Sequence, residues 1–141
     1  MGLKAEFPKT RAEVVSLLRE YDITPTHQRI KIGEVLFARP QHLSAEQVLA
    51  ATNQGGEEVS KATVYNTLGL FAEHGLLHEV LVDPSKVFYD SNLNKHHHLY
   101  YSDSGKLEDI ANERVEIAKL PELPADVQIE DVDIVIRVRS S

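Results

Sequence analysis

Apolar residues in the first half of the chain recur at helical spacing, in short runs separated by capping signals. Thr10 and Glu13 form a Thr-x-x-Glu capping box ahead of Val14, Val15, Leu17 and Leu18, which predicts a helix ending near Tyr21. Thr24-Pro25 reads as an N-cap with proline at the first helical position. Ile32, Val35 and Leu36 then share a face until Arg39-Pro40. Ser44 and Gln47 repeat the capping pattern before Val48 and Leu49, and Asn53-Gln54-Gly55-Gly56 is a turn by composition. Ser60 caps a fourth helix, in which Val64, Leu68 and Phe71 fall on one face and Gly75 stops the run. Lys61, Thr63, Tyr65 and Asn66 are left near its start on the more open faces.

Beyond Gly75 the period changes. Leu76–Val82 and Lys86–Asp90 flank Asp83-Pro84-Ser85 and predict a β-hairpin. Short helices ending in a hairpin are the layout of a winged helix-turn-helix, with the fourth helix offered to the major groove. His97–Tyr101 and Lys106–Ile110 around Ser102-Asp103-Ser104-Gly105 predict a second hairpin. A helix is expected over about 112–120, cut off by Pro121 and Pro124, followed by a strand within Val127–Val138. In that strand Val132, Ile134, Ile136 and Val138 share one face. The fold expected is α+β: a winged-helix domain over 1–90 and a small α/β dimerisation domain over 91–141, with a hinge at about 90–95. A unit of about 45 residues buries little surface alone, so its apolar strand face predicts a homodimer.

Charge argues against a nucleic-acid partner, and so any such claim must come from local geometry. The net charge is −7, with nine Lys/Arg against twelve Asp/Glu up to residue 90 and six against ten after it, whereas phosphate neutralisation wants a basic surface. No stretch is apolar enough to span a membrane and the N-terminus lacks an apolar signal core, so a cytoplasmic protein is expected. The absence of cysteine excludes disulfides and thiolate metal sites.

The candidate chemistry is histidine. On a strand, His96 and His98 would point one way and could clamp a single cation, with Asp90 six residues before the triplet and His97 facing the other side. Imidazole suits zinc, iron, nickel and copper and a carboxylate adds an oxygen ligand, with Fe(II), Mn(II) or Zn(II) the cations expected. A hydrolytic metalloenzyme would need an open metal position and a substrate pocket. The chain offers no obvious nucleophile and spends half its length on a DNA-binding pattern, so an enzyme is not expected.

VSKATVYNTLGLFAEHGLL, QHLSAEQVL and HHHLYYSDSGKLEDI together resemble the ferric uptake regulator family of metal-responsive transcription factors, from about Thr10 to Arg139. The triplet, the missing cysteine pairs and the ending DVDIVIRVR are most similar to its iron response regulator branch. The resemblance implies a regulatory metal site of His42, Asp90, His96, His98 and Asp109. It also implies a second metal or haem site to which His96, His97, His98 and Glu116 are the candidates, with Lys95 and Val132 standing at two ligand positions. The structural zinc of two Cys-x-x-Cys pairs cannot form, since Tyr101 and Ser104 stand at the first pair. Tyr65 matches the family tyrosine that meets thymine methyls, Asn66 replaces an arginine, and Arg29, Lys61 and Thr63 are candidates for phosphate contacts.

The function implied is a homodimeric, metal- and haem-responsive regulator, mainly a repressor, of iron and haem genes, binding A·T-rich double-stranded operators. The alternative is a peroxide-sensing repressor of the same family, in which Fe(II) held by three His and two Asp reacts with peroxide and a ligand histidine is oxidised. A winged-helix protein with no sensing function is the plainer competitor.

Overall fold

The computed structural model describes Phe7 and residues 9–56 and 58–141, which divide into two units at Leu93/Asn94. In the first unit the helices are α1 (Arg11–Glu20), α2 (His27–Leu36), α3 (Ala45–Thr52) and α4 (Lys61–Glu73). Local capping chemistry fixes their starts. The Thr10 and Ser44 hydroxyls accept the backbone N–H groups of Glu13 and Gln47, whose side chains accept the cap N–H in return. Ser60 caps α4 by accepting from Thr63 N.

One start differs from the sequence expectation. The cap of α2 is Thr26, which accepts from Arg29 N, so the helix begins two residues after Thr24-Pro25. Thr24 instead offers its carbonyl to the Arg29 guanidinium. At the other end of α4, Gly75 takes a φ of +83°, a left-handed turn that costs glycine little, and Leu76 N–H closes back on the Phe71 carbonyl.

The four helices enclose the core. Val14, Leu17 and Leu18 of α1 pack with Ile32 and Leu36 of α2, Val48 of α3, and Val64, Leu68 and Phe71 of α4, all essentially sealed from solvent. The wing is β2 (His78–Asp83) and β3 (Lys86–Asp90), antiparallel, with a register slip between Leu81 and Asp83. A two-residue strand, β1 (His42–Leu43), adds to the free edge of β3 and gives the order β1-β3-β2.

The second unit is a three-stranded sheet in the order β5-β4-β6. It contains β4 (His96–Tyr101), β5 (Leu107–Ala111) antiparallel to β4, and β6 (Val135–Val138) parallel to it. The helix expected over 112–120 is absent: a 3-10 turn covers Asn112–Arg114, and no regular element follows until β6. Ala111 supplies no capping side chain, and Ile117 and Leu120 are 42% and 44% exposed. A short helix with no face to bury is marginal in water. The final strand is also shorter than the alternation of Val127–Val138 suggests; Val127 and Ile129 lie exposed outside it.

Candidate metal centre and nucleic-acid interface

Strand pairing places the candidate metal ligands. In the first unit, β1 sets His42 opposite Asp90, and β2 sets His78 opposite the same Asp90. Directly opposed residues share a face of an antiparallel sheet, so the three form a row across it. A His42 nitrogen and an Asp90 carboxylate oxygen lie within 4.8 Å. Asp90 is fully buried, and its Oδ1 accepts the Asn92 backbone N–H at 2.9 Å. The His42 ring meets Phe88 edge-on with centroids 6.4 Å apart. Ser91 ties this corner together: its hydroxyl accepts from Gln41 N and lies 3.2 Å from the Arg39 carbonyl oxygen, and its own N–H donates to the Gln41 carbonyl.

In the second unit, His96 and His98 are buried on β4 with ring centroids 4.6 Å apart, and Asp109 of β5 is the register partner of His98. One oxygen of Asp109 lies 3.4 Å from His96 Nε2 and 3.7 Å from His98 Nε2. The His96 Nδ1–H donates to the Asn94 carbonyl at 2.5 Å, which leaves Nε2 as the nitrogen facing Asp109. Such an outer hydrogen bond fixes the tautomer that a metal needs. Two imidazole nitrogens thus lie near one carboxylate oxygen, and a donor set of nitrogen and oxygen is of the kind that suits a divalent transition metal.

His97, on the opposite face of the strand, is committed elsewhere. The Ile134 N–H donates to its Nδ1 at 3.1 Å, and its Nε2–H donates to Asn112 Oδ1 at 3.1 Å. Both nitrogens are therefore hydrogen-bonded within the second unit, and a metal or haem at His97 would have to displace one of these partners. Glu116 is exposed, and among the described residues no group of three or more acidic and imidazole side chains gathers it with His97.

Lys95 and Val132, at two positions that the resemblance assigned to ligands, do meet. The Lys95 ammonium donates to the Val132 carbonyl and to Asp131 at 2.6 Å, with Asp133 at 3.6 Å. Desolvation works against its charge, but the hydrogen bond to Asp131 and the charges of both aspartates outweigh it and raise the Lys95 pKa. An ammonium thus supplies the positive charge among these acids.

The sequence candidates for DNA contact cluster on the first unit. Arg29, Thr63 and Asn66 line one shallow depression between α2 and α4, with Thr26, Gln28 and Thr67. Tyr65 stands exposed at the start of α4, and the Lys61 ammonium lies 5.7 Å from its ring centre. Sequence reasoning missed Glu46, whose carboxylate accepts a 2.6 Å hydrogen bond from the Tyr65 hydroxyl. No local signal could have revealed it, since the two residues lie 19 apart on different helices. The Asn112 and Ile134 partners of His97, 15 and 37 residues away, were missed for the same reason.

A model of the ferric uptake regulator family matches residues 20–137. The chain belongs to this family. As a ferric uptake regulator family member it is a metal-responsive transcription regulator that binds DNA and dimerises, and it is not an enzyme. It is similar to the Vibrio cholerae ferric uptake regulator, at 27% identity and a TM-score of 0.72, covering 89% of this chain and 98% of that one. The Pseudomonas aeruginosa ferric uptake regulator with manganese is similar at 27% identity and a TM-score of 0.68, covering 89% and 96%. The peroxide-responsive repressor of Staphylococcus aureus is 28% identical over 118 residues, covering 83% of this chain and 80% of the relative. Among the described residues, no helix is long and apolar enough to cross a membrane.

Proposed function

We propose that this regulator is a homodimeric repressor whose grip on an A·T-rich operator is set by one divalent cation held by His42, Asp90, His96, His98 and Asp109. The observation that carries the reading is the convergence of His96 Nε2 and His98 Nε2 on one oxygen of Asp109, with the His96 tautomer fixed by Asn94. His42 and Asp90 form a second donor pair in the first unit. A cation shared by both pairs would couple its occupancy to the angle at which the DNA-binding units are held. The coupling is the difference in its affinity for the competent and incompetent arrangements. The donor set suits Mn(II), Fe(II) or Zn(II), and the similar Pseudomonas protein was solved with manganese.

The test is DNA-binding titration of apo, Mn(II)-loaded and haem-loaded protein at fixed salt, because affinity for a duplex changes steeply with ionic strength. Operator affinity should respond to Mn(II) in the wild type and lose that response in His42→Ala and His98→Ala. An unaltered response in both variants would defeat the shared-cation reading. Within this function, the resemblance to the iron response regulator branch favours iron and haem genes as targets. Haem control would act through the triplet, displacing a hydrogen-bond partner where His97 is the ligand; a haem-loaded protein with unchanged operator affinity would remove haem from the account.

A second reading is favoured by the cysteine-free set of three histidines and two aspartates and by the similarity to a peroxide-responsive repressor. With Fe(II) bound, peroxide would oxidise a ligand imidazole and release the operator. Mass spectrometry of the Fe(II) protein after micromolar peroxide decides this: one added oxygen on His42 or His96 supports it, and an unmodified chain excludes it.

A further inference from the structure

A carboxylate on a DNA-reading face carries an obvious cost, because it repels phosphate. Glu46 nonetheless occupies a built position there. It sits in the first turn of α3, accepts the Tyr65 hydroxyl at 2.6 Å, and shares that ring with the Lys61 ammonium 5.7 Å from its centre. The Tyr65 hydrogen bond, a backbone hydrogen bond and the charges of Lys61 and Lys86 hold the Glu46 carboxyl below the usual carboxylate range. The same bond raises the Tyr65 phenol. The pair is therefore an ionised carboxylate and a neutral phenol at neutral pH.

The geometry points to Glu46 as a positioning residue for sequence readout: by anchoring the Tyr65 hydroxyl it fixes where the ring sits at the start of α4, and so which base the ring meets. The inference rests on the reading of α4 as the DNA-facing helix. A tyrosine left untethered at an exposed helix start samples several rotamers, and a contact made from one of them loses free energy to the others. The anchor restricts that freedom before DNA arrives. Its charge meanwhile weakens binding to every duplex alike, so Glu46 trades affinity for discrimination.

The experiment uses full-length Mn(II)-loaded protein and a duplex enriched by the wild type from a random-sequence library. Failure to enrich any sequence would remove the DNA-reading function itself, and the inference with it, before Glu46 is at issue. With an enriched duplex in hand, anisotropy titrations compare it with a shuffled duplex of equal composition over a range of salt. Tyr65→Phe and Glu46→Ala should each shrink the affinity ratio between the two duplexes by about tenfold, the scale of one charge-assisted hydrogen bond. The double variant should shrink it no further, and Glu46→Gln, whose amide oxygen still accepts, should keep most of it. Glu46 is exposed, so the core contacts of its neighbours Ala45 and Val48 survive each change. If Glu46→Ala tightens both duplexes equally and leaves the ratio intact, Glu46 is only a repelling charge and the inference falls. It falls equally if the two single losses multiply in the double variant.

Discussion

At the scale of single residues, three adjacent imidazoles have been given different work. His96 and His98 face Asp109, whereas His97 binds the sheet together through Ile134 and Asn112. Substitution should separate these roles. His98→Ala should weaken Mn(II) binding by at least about tenfold in calorimetric titration while leaving most of the stability. His97→Ala should remove a buried ring with its hydrogen bonds to the half-buried Ile134 and the exposed Asn112, at about 1–3 kcal/mol in urea denaturation, with a smaller effect on Mn(II). Equal effects of both changes on metal and on stability would refute the division. A second residue-scale expectation concerns acid. The Thr10 backbone and hydroxyl lower the Glu13 pKa below 4.5, so its charge contributes stability above that pH, and the contribution is lost as pH falls through the depressed value. Glu13→Gln should therefore be less stable than wild type at pH 6, and the gap should close toward pH 3 when urea midpoints are compared. At this scale the triplet, Asp90 and Tyr65 were legible because they sit within short, distinctive runs. Glu46 and the partners of His97 were not, because each is brought in from another element by tertiary packing.

At the scale of elements, the caps wrote themselves into the sequence and the packing contacts did not. Thr10–Glu13, Ser44–Gln47, Ser60 and Gly75 marked helix ends, since capping is chemistry between residues a few positions apart. By contrast, the two-residue β1 is too short to carry a period, yet it is what sets His42 opposite Asp90. The pattern over 112–120 looked helical, and the helix failed for want of a surface to bury. Close approach of α1 and α2 is another tertiary fact. A Cβ on Gly33 would stand 2.7 Å from Val14 Cγ1, inside a core where both residues are buried. Gly33→Ala gains about 1 kcal/mol of helix propensity but must displace a stiff, buried valine. The expected result is a net loss of about 1 kcal/mol in chemical denaturation, and adding Val14→Ala should cost less in the Gly33→Ala background than in wild type. Simple additivity of the two would show that the helices can part without strain.

For the whole molecule, the contrast lies between a first unit with a broad apolar core and a second whose interior is mostly imidazole. Among residues 94–141, the buried side chains are His96, His97, His98, Tyr100 and Leu107. Such an interior contributes little hydrophobic stabilisation, so ligand and partner binding must contribute to its stability. Mn(II) at a hundredfold excess over its Kd should add about 2.7 kcal/mol to whatever unfolding releases it. Hydrogen exchange should show that protection first in β4 and β5; uniform protection across both units would contradict this. Exposed Ile117, Leu120, Leu123, Val127, Ile129 and Ile136 give the second unit further apolar surface for a dimer partner to cover. The place of β6 has a consequence of its own. It runs alongside the histidine strand, takes Ser102 N–H on the Val138 carbonyl, and is preceded by the Ile134 amide that braces His97. β6 is thus a splint for the histidine strand, and a cut just before Ile134 should slacken β4 and, on the shared-cation proposal, loosen the hold on Mn(II) in calorimetric titration.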